Sequence, residues 1–262
     1  MSAAIDYGSD ASDDGYNKPA TGYCSRLCSE FTVPMFGIFD APTGKKLDLE
    51  ESFAANGSKY VIALKVVIWA LIVQTLVWTW LESAYPGFYL AYLTNWGLVT
   101  ATIYQTISVL ISLGRDGLGM LKTAWALFPL VANSQLLIVI VYWVILFDDQ
   151  GVTYLNVMKH GVVFLIIFLD GLVLSRVPVR LKHVVFTFLY AGTYIAWSAI
   201  HAFVLGENPY KDDEDDDAIY SFIKWNTEPA STAIFLAILW FGVVPLFHVI
   251  IWGLSLCGRR YQ

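Results

Sequence analysis

The sequence predicts an all-α fold, a six-span transmembrane helix bundle with a polar N-terminal cytoplasmic segment. Of the 262 residues, 57% are apolar and only 15% are charged, whereas a soluble domain carries roughly a quarter charged residues. Six stretches supply the roughly 20 mostly apolar residues that a helix needs to cross a hydrocarbon core of about 30 Å. Runs such as residues 136–146 do not alternate between polar and apolar side chains, so helices are favoured over a strand barrel.

The six predicted spans follow one another with short connections, except for the loop over residues 206–229. They cover residues 60–81, 88–113, 123–147, 156–174, 183–205 and 230–257. Residues 1–59 are polar and lack the apolar core of a signal peptide, so the first span is expected to act as an uncleaved anchor.

The chain outside the spans divides into three parts. Residues 1–22 combine aspartates with serine and glycine and are predicted to be a disordered tail. Residues 23–59 form a cytoplasmic juxtamembrane segment, residues 60–257 the transmembrane domain, and residues 258–262 a short cytoplasmic tail.

Basic residues predict the orientation of the bundle. Twelve lysines and arginines fall on the side of the two termini, against three on or near the opposite face, so both termini are expected in the cytosol. The acidic run at residues 212–217 then lies outside or in a lumen, and the sequon at Asn56 stays without a glycan. These features predict an integral protein of the plasma membrane or the endoplasmic reticulum.

Polar side chains inside the spans are the candidate functional residues, because they are costly in hydrocarbon and usually face the bundle interior. Span direction places Thr94, Asn95, His160 and His201 in one outer layer. Lys65, Asp170 and His248 fall in an inner layer, where Asp170 is expected to pair with Lys65 or with Arg176. A structural role is the alternative for each of them, since threonines in membrane helices commonly bond their own backbone.

Known soluble-enzyme signatures are absent from the sequence. There is no zinc-binding His-Glu-x-x-His, no dinucleotide-binding glycine loop and no Gly-x-Ser-x-Gly elbow, so no cofactor and no metal is predicted. The net charge of −6 gives no reason to expect a nucleic-acid partner. Membrane lipids are the expected partners, and Cys24, Cys28 and Cys257 are either structural thiols or sites of S-palmitoylation.

An ordered set of short motifs between residues 24 and 257 resembles the rolling stone family of multi-pass membrane proteins. The set includes Tyr92 to Gly97, Phe128-Pro129, Tyr142-Trp143, His160-Gly161 followed by Asp170, Ser175 to Arg180, Tyr194 to His201, and Ile219-Tyr220 with Trp225. The resemblance implies a role at the plasma membrane in membrane organisation or cell fusion, without enzymatic activity.

The rolling stone family is in turn similar to the androgen-induced family of intramembrane hydrolases. That likeness implies cleavage of fatty acid esters of hydroxy fatty acids by a threonine, which maps to Thr94, and a histidine. The catalytic histidine is the second of a His-Gly-x-x-His motif, and this chain has Val163 at that position, so His160 would have to act as the base, with His201 as the less favoured alternative. A lipid ester that enters from the outer leaflet would reach the depth of Thr94, so a lipid pocket is predicted there, formed by Asn95, Trp96, Phe164, Trp197 and His201.

Three functions therefore remain open. The first is a non-enzymatic membrane protein of the rolling stone type with a lipid pocket, and the second is a threonine-type lipid-ester hydrolase. The third is a channel or transporter based on Lys65, Asp170 and His248, although the spans show no inverted repeat.

Overall fold

A computed structural model describes residues 58–115, 117–147, 151–205, 208–210 and 218–257. The predicted tail, most of the juxtamembrane segment, the sequon, the acidic run, Cys24, Cys28 and the side chain of Cys257 lie outside the described residues. The described residues form helices and turns without a β-strand, as the fold class predicts.

Six helical stretches lie in the described residues and are numbered here in chain order. Helix α1 is Lys59–Leu81, and a 3₁₀ turn at Pro86–Ala91 leads into α2, Leu93–Ser112. Helix α3 runs over Leu118–Val141 and continues as a π-helical turn at Tyr142–Leu146. Helix α4 is Tyr154–Leu174. Helix α5 is Val184–Ile200, with a 3₁₀ turn before it and a π-turn, His201–Leu205, after it. Helix α6 begins at Pro229 and ends at Cys257.

Five of these stretches are long and apolar enough to cross a membrane, namely α1, α3, α4, α5 and α6 with their flanking turns. Helix α2 has 20 residues but lower hydropathy, because it carries Asn95, Gln105 and several threonines and serines. It also begins at Leu93 rather than at Phe88, since Pro86 starts a separate 3₁₀ turn. The described part of the chain is therefore all-helical, with five helices suited to a bilayer.

Helix α3 is the centre of the bundle. It packs against α2, α4, α5 and α6, while α1 packs against α2. The buried core follows from this arrangement and consists of large side chains from α2 and α3, such as Tyr104, Trp125 and Phe128, with Ile68, Ile72 and Ile167 from their neighbours. Gly171 permits α4 to approach α3 closely, because a Cβ at that position would lie 1.8 Å from Cε2 of Phe128.

Several helices contain π-helical turns, in which a backbone N–H bonds the carbonyl five residues before it. They include Tyr142–Leu146 in α3, Met158–Val162 and Leu169–Leu174 in α4, and Leu239–Val243 in α6. Such turns are rare and are frequently found at functional sites. With His201–Leu205 after α5, the described residues contain five of them, and three of the five border the cavities described next.

Candidate functional site: two joined cavities

A polar cavity of about 540 Å³, called the vestibule below, lies where α1 ends and α2 begins. Its walls come from α1, the Pro86–Ala91 turn, α2, the start of α4 and the connection between α5 and α6. Hydroxyl and amide side chains dominate its lining: Thr79, Ser83, Tyr89, Tyr92, Thr94, Asn95, Thr153, Asn156, Tyr210, Tyr220 and Ser221.

A second cavity, called the groove below, is narrow and almost entirely apolar, with a volume of about 70 Å³. It runs between α3, α5 and α6 from Leu146 inward to Asn133, a depth of about 20 Å at 1.5 Å per helical residue. At the deep end, the Asn133 amide donates to the Val244 carbonyl at 3.0 Å. Most of its lining is aliphatic or aromatic: Leu93, Leu137, Ile138, Val141, Ala191, Ile195, Phe222, Ile223, Leu236, Leu239 and Trp240.

Four residues line both cavities and form the neck between them. They are Thr94, Tyr142, Leu146 and Tyr220. A polar compartment and an apolar one thus meet at a shared wall, which is the layout that an amphipathic ligand requires.

Thr94 reaches the neck because it lies in the first turn of α2, which Tyr220 caps from the other side of the chain. The Leu93 backbone N–H donates to the Tyr220 hydroxyl at 2.9 Å, satisfying one of the donors that a helix N-terminus leaves without a partner. The Tyr194 hydroxyl in turn donates to the Ala91 carbonyl at 2.9 Å. Two tyrosines from distant segments therefore hold the start of α2 in place.

His160 lies in the vestibule wall, on the π-turn Met158–Val162. Its imidazole stacks on the ring of Tyr142, with ring centroids 3.4 Å apart, and its carbonyl accepts a hydrogen bond from Trp143 Nε1 at 2.8 Å. The ring is buried and its Nδ1 has no hydrogen-bond partner in the described part of the chain. The stack fixes Tyr142, and with it one side of the neck.

Three tyrosines of the vestibule wall, Tyr89, Tyr92 and Tyr220, are neutral at physiological pH. Burial raises the pKa of Tyr92 to about 12. Burial also raises the pKa of Tyr89 and of Tyr220 above 10, although the hydrogen bond from Leu93 opposes the shift at Tyr220. Their hydroxyls therefore offer hydrogen bonds without charge.

The two residues expected to form a catalytic pair, Thr94 and His160, both line the vestibule. Within the described residues, however, no hydrogen bond joins the Thr94 hydroxyl to His160 or to His201. The polar neighbour of the Thr94 side chain is instead the Tyr220 hydroxyl. A threonine hydroxyl is a weak nucleophile unless a base lies within hydrogen-bond reach, about 3 Å.

Of the residues expected to form a lipid pocket, Asn95 lines the vestibule, where its amide donates to the Tyr89 carbonyl at 2.6 Å. Trp96 and Trp197 both donate from Nε1 to the Leu90 carbonyl, at 2.6 and 3.0 Å. Neither indole contributes to the two cavities; both hold the Pro86–Ala91 turn against α5.

The other two pocket candidates also lie outside the cavity walls. His201 meets the ring of Phe88 edge to face at 4.7 Å, and Phe164 packs on Phe168 with centroids 4.4 Å apart. The compartment that receives apolar groups is instead the groove between α3, α5 and α6.

The inner polar residues Lys65 and Asp170 form an ion pair with Nζ and Oδ1 3.6 Å apart, and both side chains are 0% exposed. Lys65 Nζ also donates to Ser175 Oγ at 2.7 Å and to Ser108 Oγ at 3.2 Å. Asp170 Oδ2 accepts from Tyr104 OH at 2.8 Å and from Ser108 Oγ at 3.0 Å. This network ties α1, α2 and the end of α4 together inside the core.

His248 does not join that network. Its Nε2 is 2.9 Å from the Arg180 carbonyl, in the buried connection between α4 and α5. Between the vestibule and the Lys65–Asp170 pair lie fully buried apolar side chains, including Ile72, Val163 and Ile167.

Comparisons with protein-family models, with curated proteins and with solved structures found no match to this chain. The geometry of the cavities and of the buried network is therefore the basis for every functional statement that follows.

Some residues of the site were not expected from the sequence. Leu146 at the neck and Lys159 in the vestibule carry no distinctive signal, and Tyr142 and Tyr220 stood out only as aromatic residues within the family-like motifs. The hydroxyls around Asp170 had a weak signal, because Tyr104 and Ser108 are four residues apart and therefore share one face of α2.

Proposed function

We propose that this protein is a non-enzymatic, six-span membrane protein that holds one amphipathic lipid in the two joined cavities. The observation that carries the proposal is the neck, where Thr94, Tyr142, Leu146 and Tyr220 line both the polar vestibule and the apolar groove. A lipid would place its headgroup in the vestibule and its chain in the groove, with the junction between them at the neck.

The depth of the groove supports this placement. It extends about 20 Å along α3, which is comparable with the share of one leaflet, about 15 Å, in a hydrocarbon core of about 30 Å. An acyl chain in the groove would remain at the depth that it has in the bilayer. The lipid would therefore exchange one apolar environment for another without crossing water.

The orientation that the basic residues predict puts the vestibule in the outer or lumenal leaflet, with α2 as the sixth span and both termini cytoplasmic. Helix α2 is buried between α1 and α3, which supports a spanning position despite its polar residues. Its polar side chains include Tyr104 and Ser108, which bond Asp170 rather than lipid.

A membrane-organising or cell-fusion role, as the resemblance to the rolling stone family implies, is consistent with a lipid site that has no catalytic base at Thr94. Val163 is fully buried and apolar, so the position of the histidine in the related hydrolases contributes to the core in this chain. In this proposal the protein binds a lipid and presents or senses it, and does not cleave it.

Lipid-ester hydrolysis is the second candidate, and the placement of Thr94 at the neck favours it. The ester of a lipid whose headgroup lies in the vestibule would come close to the Thr94 hydroxyl, and His160 lies in the same cavity wall. This candidate requires His160 to leave its stack on Tyr142 and approach Thr94.

Photolabelling of the full-length protein in lipid nanodiscs tests the lipid site. The probes are single-chain lipids with a diazirine in a hexadecanoyl chain and with a glycerol, a phosphocholine or a phosphate headgroup. We expect at least one of them to label peptides of α3, α5 or α6 that line the groove. Ala191→Phe should abolish that labelling, because Ala191 lines the groove.

The matched control is Ala196→Phe, one and a half turns along the same helix, where the side chain is exposed and lines neither cavity. It should label as the wild type does. Labelling confined to exposed surfaces, or labelling unchanged by Ala191→Phe, would overturn the proposed function.

A further inference from the structure

The charges around the vestibule point to the kind of headgroup it receives. The described lining contains one lysine, Lys159, and one carboxylate, Glu82. The described part of the vestibule therefore has no excess of positive or negative charge with which to bind an anionic or a cationic group.

A phosphate needs cations or backbone N–H groups that are free to bind it, usually as several charge-assisted hydrogen bonds. Lys159 is the single lysine or arginine among the described lining residues, and Glu82 already competes for it. A quaternary ammonium group would be favoured by the tyrosine rings, but the repulsion from Lys159 would offset its attraction to Glu82.

The remaining lining fits an uncharged polyol. Tyr92, Thr94, Tyr220 and Ser221 supply hydroxyls, and Asn156 supplies an amide. These groups both donate and accept hydrogen bonds, as the hydroxyls of a sugar or of glycerol do. The tyrosine rings add apolar faces on which the C–H surface of such a group can pack.

The dimensions of the two cavities also limit the number of chains that the ligand can have. The vestibule holds about 540 Å³ and the groove about 70 Å³. A space of about 70 Å³ between three helices admits part of one extended chain, whereas a sterol or a pair of chains would require a much wider separation of the helices.

We infer that the ligand of this site is a single-chain lipid with an uncharged polyhydroxyl headgroup, such as a monoacylglycerol or a monoacyl or monoalkyl glycoside. The inference rests on the proposed function, since it names the class of lipid for the same two cavities. It predicts that lipids with the same acyl chain differ in affinity in an order set by their headgroups.

The three diazirine probes, identical except for glycerol, phosphocholine or phosphate, measure that order in nanodiscs of uncharged and zwitterionic lipid. We expect the glycerol probe to reach half-maximal labelling of the groove at a concentration at least tenfold below that of either charged probe. Unlabelled hexadecyl glucoside should compete with it, while hexadecyl phosphate should compete at least tenfold less well.

Removing one charge at a time provides the matched variants. Glu82→Gln leaves Lys159 uncompensated, so labelling by the phosphate probe should improve at least fivefold relative to the glycerol probe. Lys159→Met removes the cation, so labelling by the phosphate probe relative to the glycerol probe should not improve. Both side chains are at least partly exposed, and the circular-dichroism spectrum and melting temperature of each variant check that it folds.

The outcomes separate the inference from the proposed function. If no probe labels the groove, the proposed function is wrong and the inference falls with it. If the phosphate or the phosphocholine probe labels the groove as well as the glycerol probe does, the lipid site stands and the inference is overturned. A headgroup order that Glu82→Gln leaves unchanged overturns the electrostatic reason for it.

Discussion

Lys65 Nζ lies 3.6 Å from Asp170 Oδ1 in the core of the bundle, and neither side chain is exposed. The two residues come from α1 and α4, so the pair joins helices that are more than one hundred positions apart in sequence. Ser108, Ser175 and Tyr104 add hydrogen bonds to the pair, whereas Asp170 Oδ1 has the Lys65 ammonium as its one polar neighbour among the described residues.

Lys65→Met should destabilise the protein by about 3–5 kcal/mol, because it leaves the carboxylate of Asp170 buried without its cation. The same substitution at Lys224, whose pair with Glu228 is exposed at 39% and 57%, should cost less than about 1 kcal/mol. Thermal unfolding in detergent, followed by tryptophan fluorescence, measures both. The double variant Lys65→Met/Asp170→Leu should recover most of the loss, and a double variant no better than the single one would contradict the pairing.

Gly171→Ala should destabilise the protein by about 1–3 kcal/mol through overpacking, since the new Cβ would lie 1.8 Å from the Phe128 ring. Gly242→Ala is the matched control, because nothing lies within 4 Å of its ideal Cβ. Expression level and melting temperature give the comparison. Equal effects at the two glycines would show that α4 does not approach α3 as closely as described.

Tyr220→Phe should cost about 1 kcal/mol, because the Leu93 N–H loses its acceptor at the start of α2. Tyr154→Phe removes a hydroxyl from an exposed tyrosine and should leave the melting temperature unchanged. Hydrogen exchange measured by mass spectrometry should show faster exchange in the first turn of α2 for Tyr220→Phe. Identical exchange in both variants would mean that Tyr220 does not cap this helix.

Alkaline pH should destabilise the protein through Tyr92. Its pKa is about 12 in the folded chain and 10 in the unfolded chain, because burial disfavours the charged form. The stability contributed by the neutral hydroxyl is present below pH 10 and is lost as the pH rises towards 12. Melting temperatures across this interval should fall less steeply for Tyr92→Phe than for the wild type; parallel curves would contradict the assignment.

No hydrolysis of a single-chain lipid ester should depend on Thr94. Within the described residues neither His160 nor His201 bonds its hydroxyl, and the neighbouring polar group is the neutral Tyr220. Release of fatty acid from a monoacylglycerol, measured for the wild type and for Thr94→Ala, should be equal and at background. A rate in the wild type that disappears in Thr94→Ala and in His160→Ala would establish the hydrolase function instead.

The sequence predicts the helices well where the bilayer alone determines them. The first span, predicted over residues 60–81, forms as Lys59–Leu81, because a continuous apolar run of this length has few other stable conformations in hydrocarbon. The second starts five residues later than predicted, since Pro86 and Gly87 begin a 3₁₀ turn before α2. The pairing of Asp170 was predictable for a similar reason, as an unpaired charge in the core is too costly.

The cavities depend on features that a sequence does not display. Tyr142 stacks on His160 because both lie on π-turns, which have no clear sequence signature. Tyr220 caps α2 from 127 positions away, so no local pattern reveals it. The groove itself is a gap between three helices, and its position depends on how α3, α5 and α6 pack rather than on any one residue.

A cryo-electron microscopy map of the full-length protein in nanodiscs, at a resolution that shows side chains, tests the lipid site most directly. We expect elongated density that begins in the vestibule, passes between Thr94 and Tyr142, and continues between α3, α5 and α6 to the level of Asn133. The same density should be absent in Ala191→Phe. A wild-type map with the neck closed by packed side chains and no density in either cavity would contradict it.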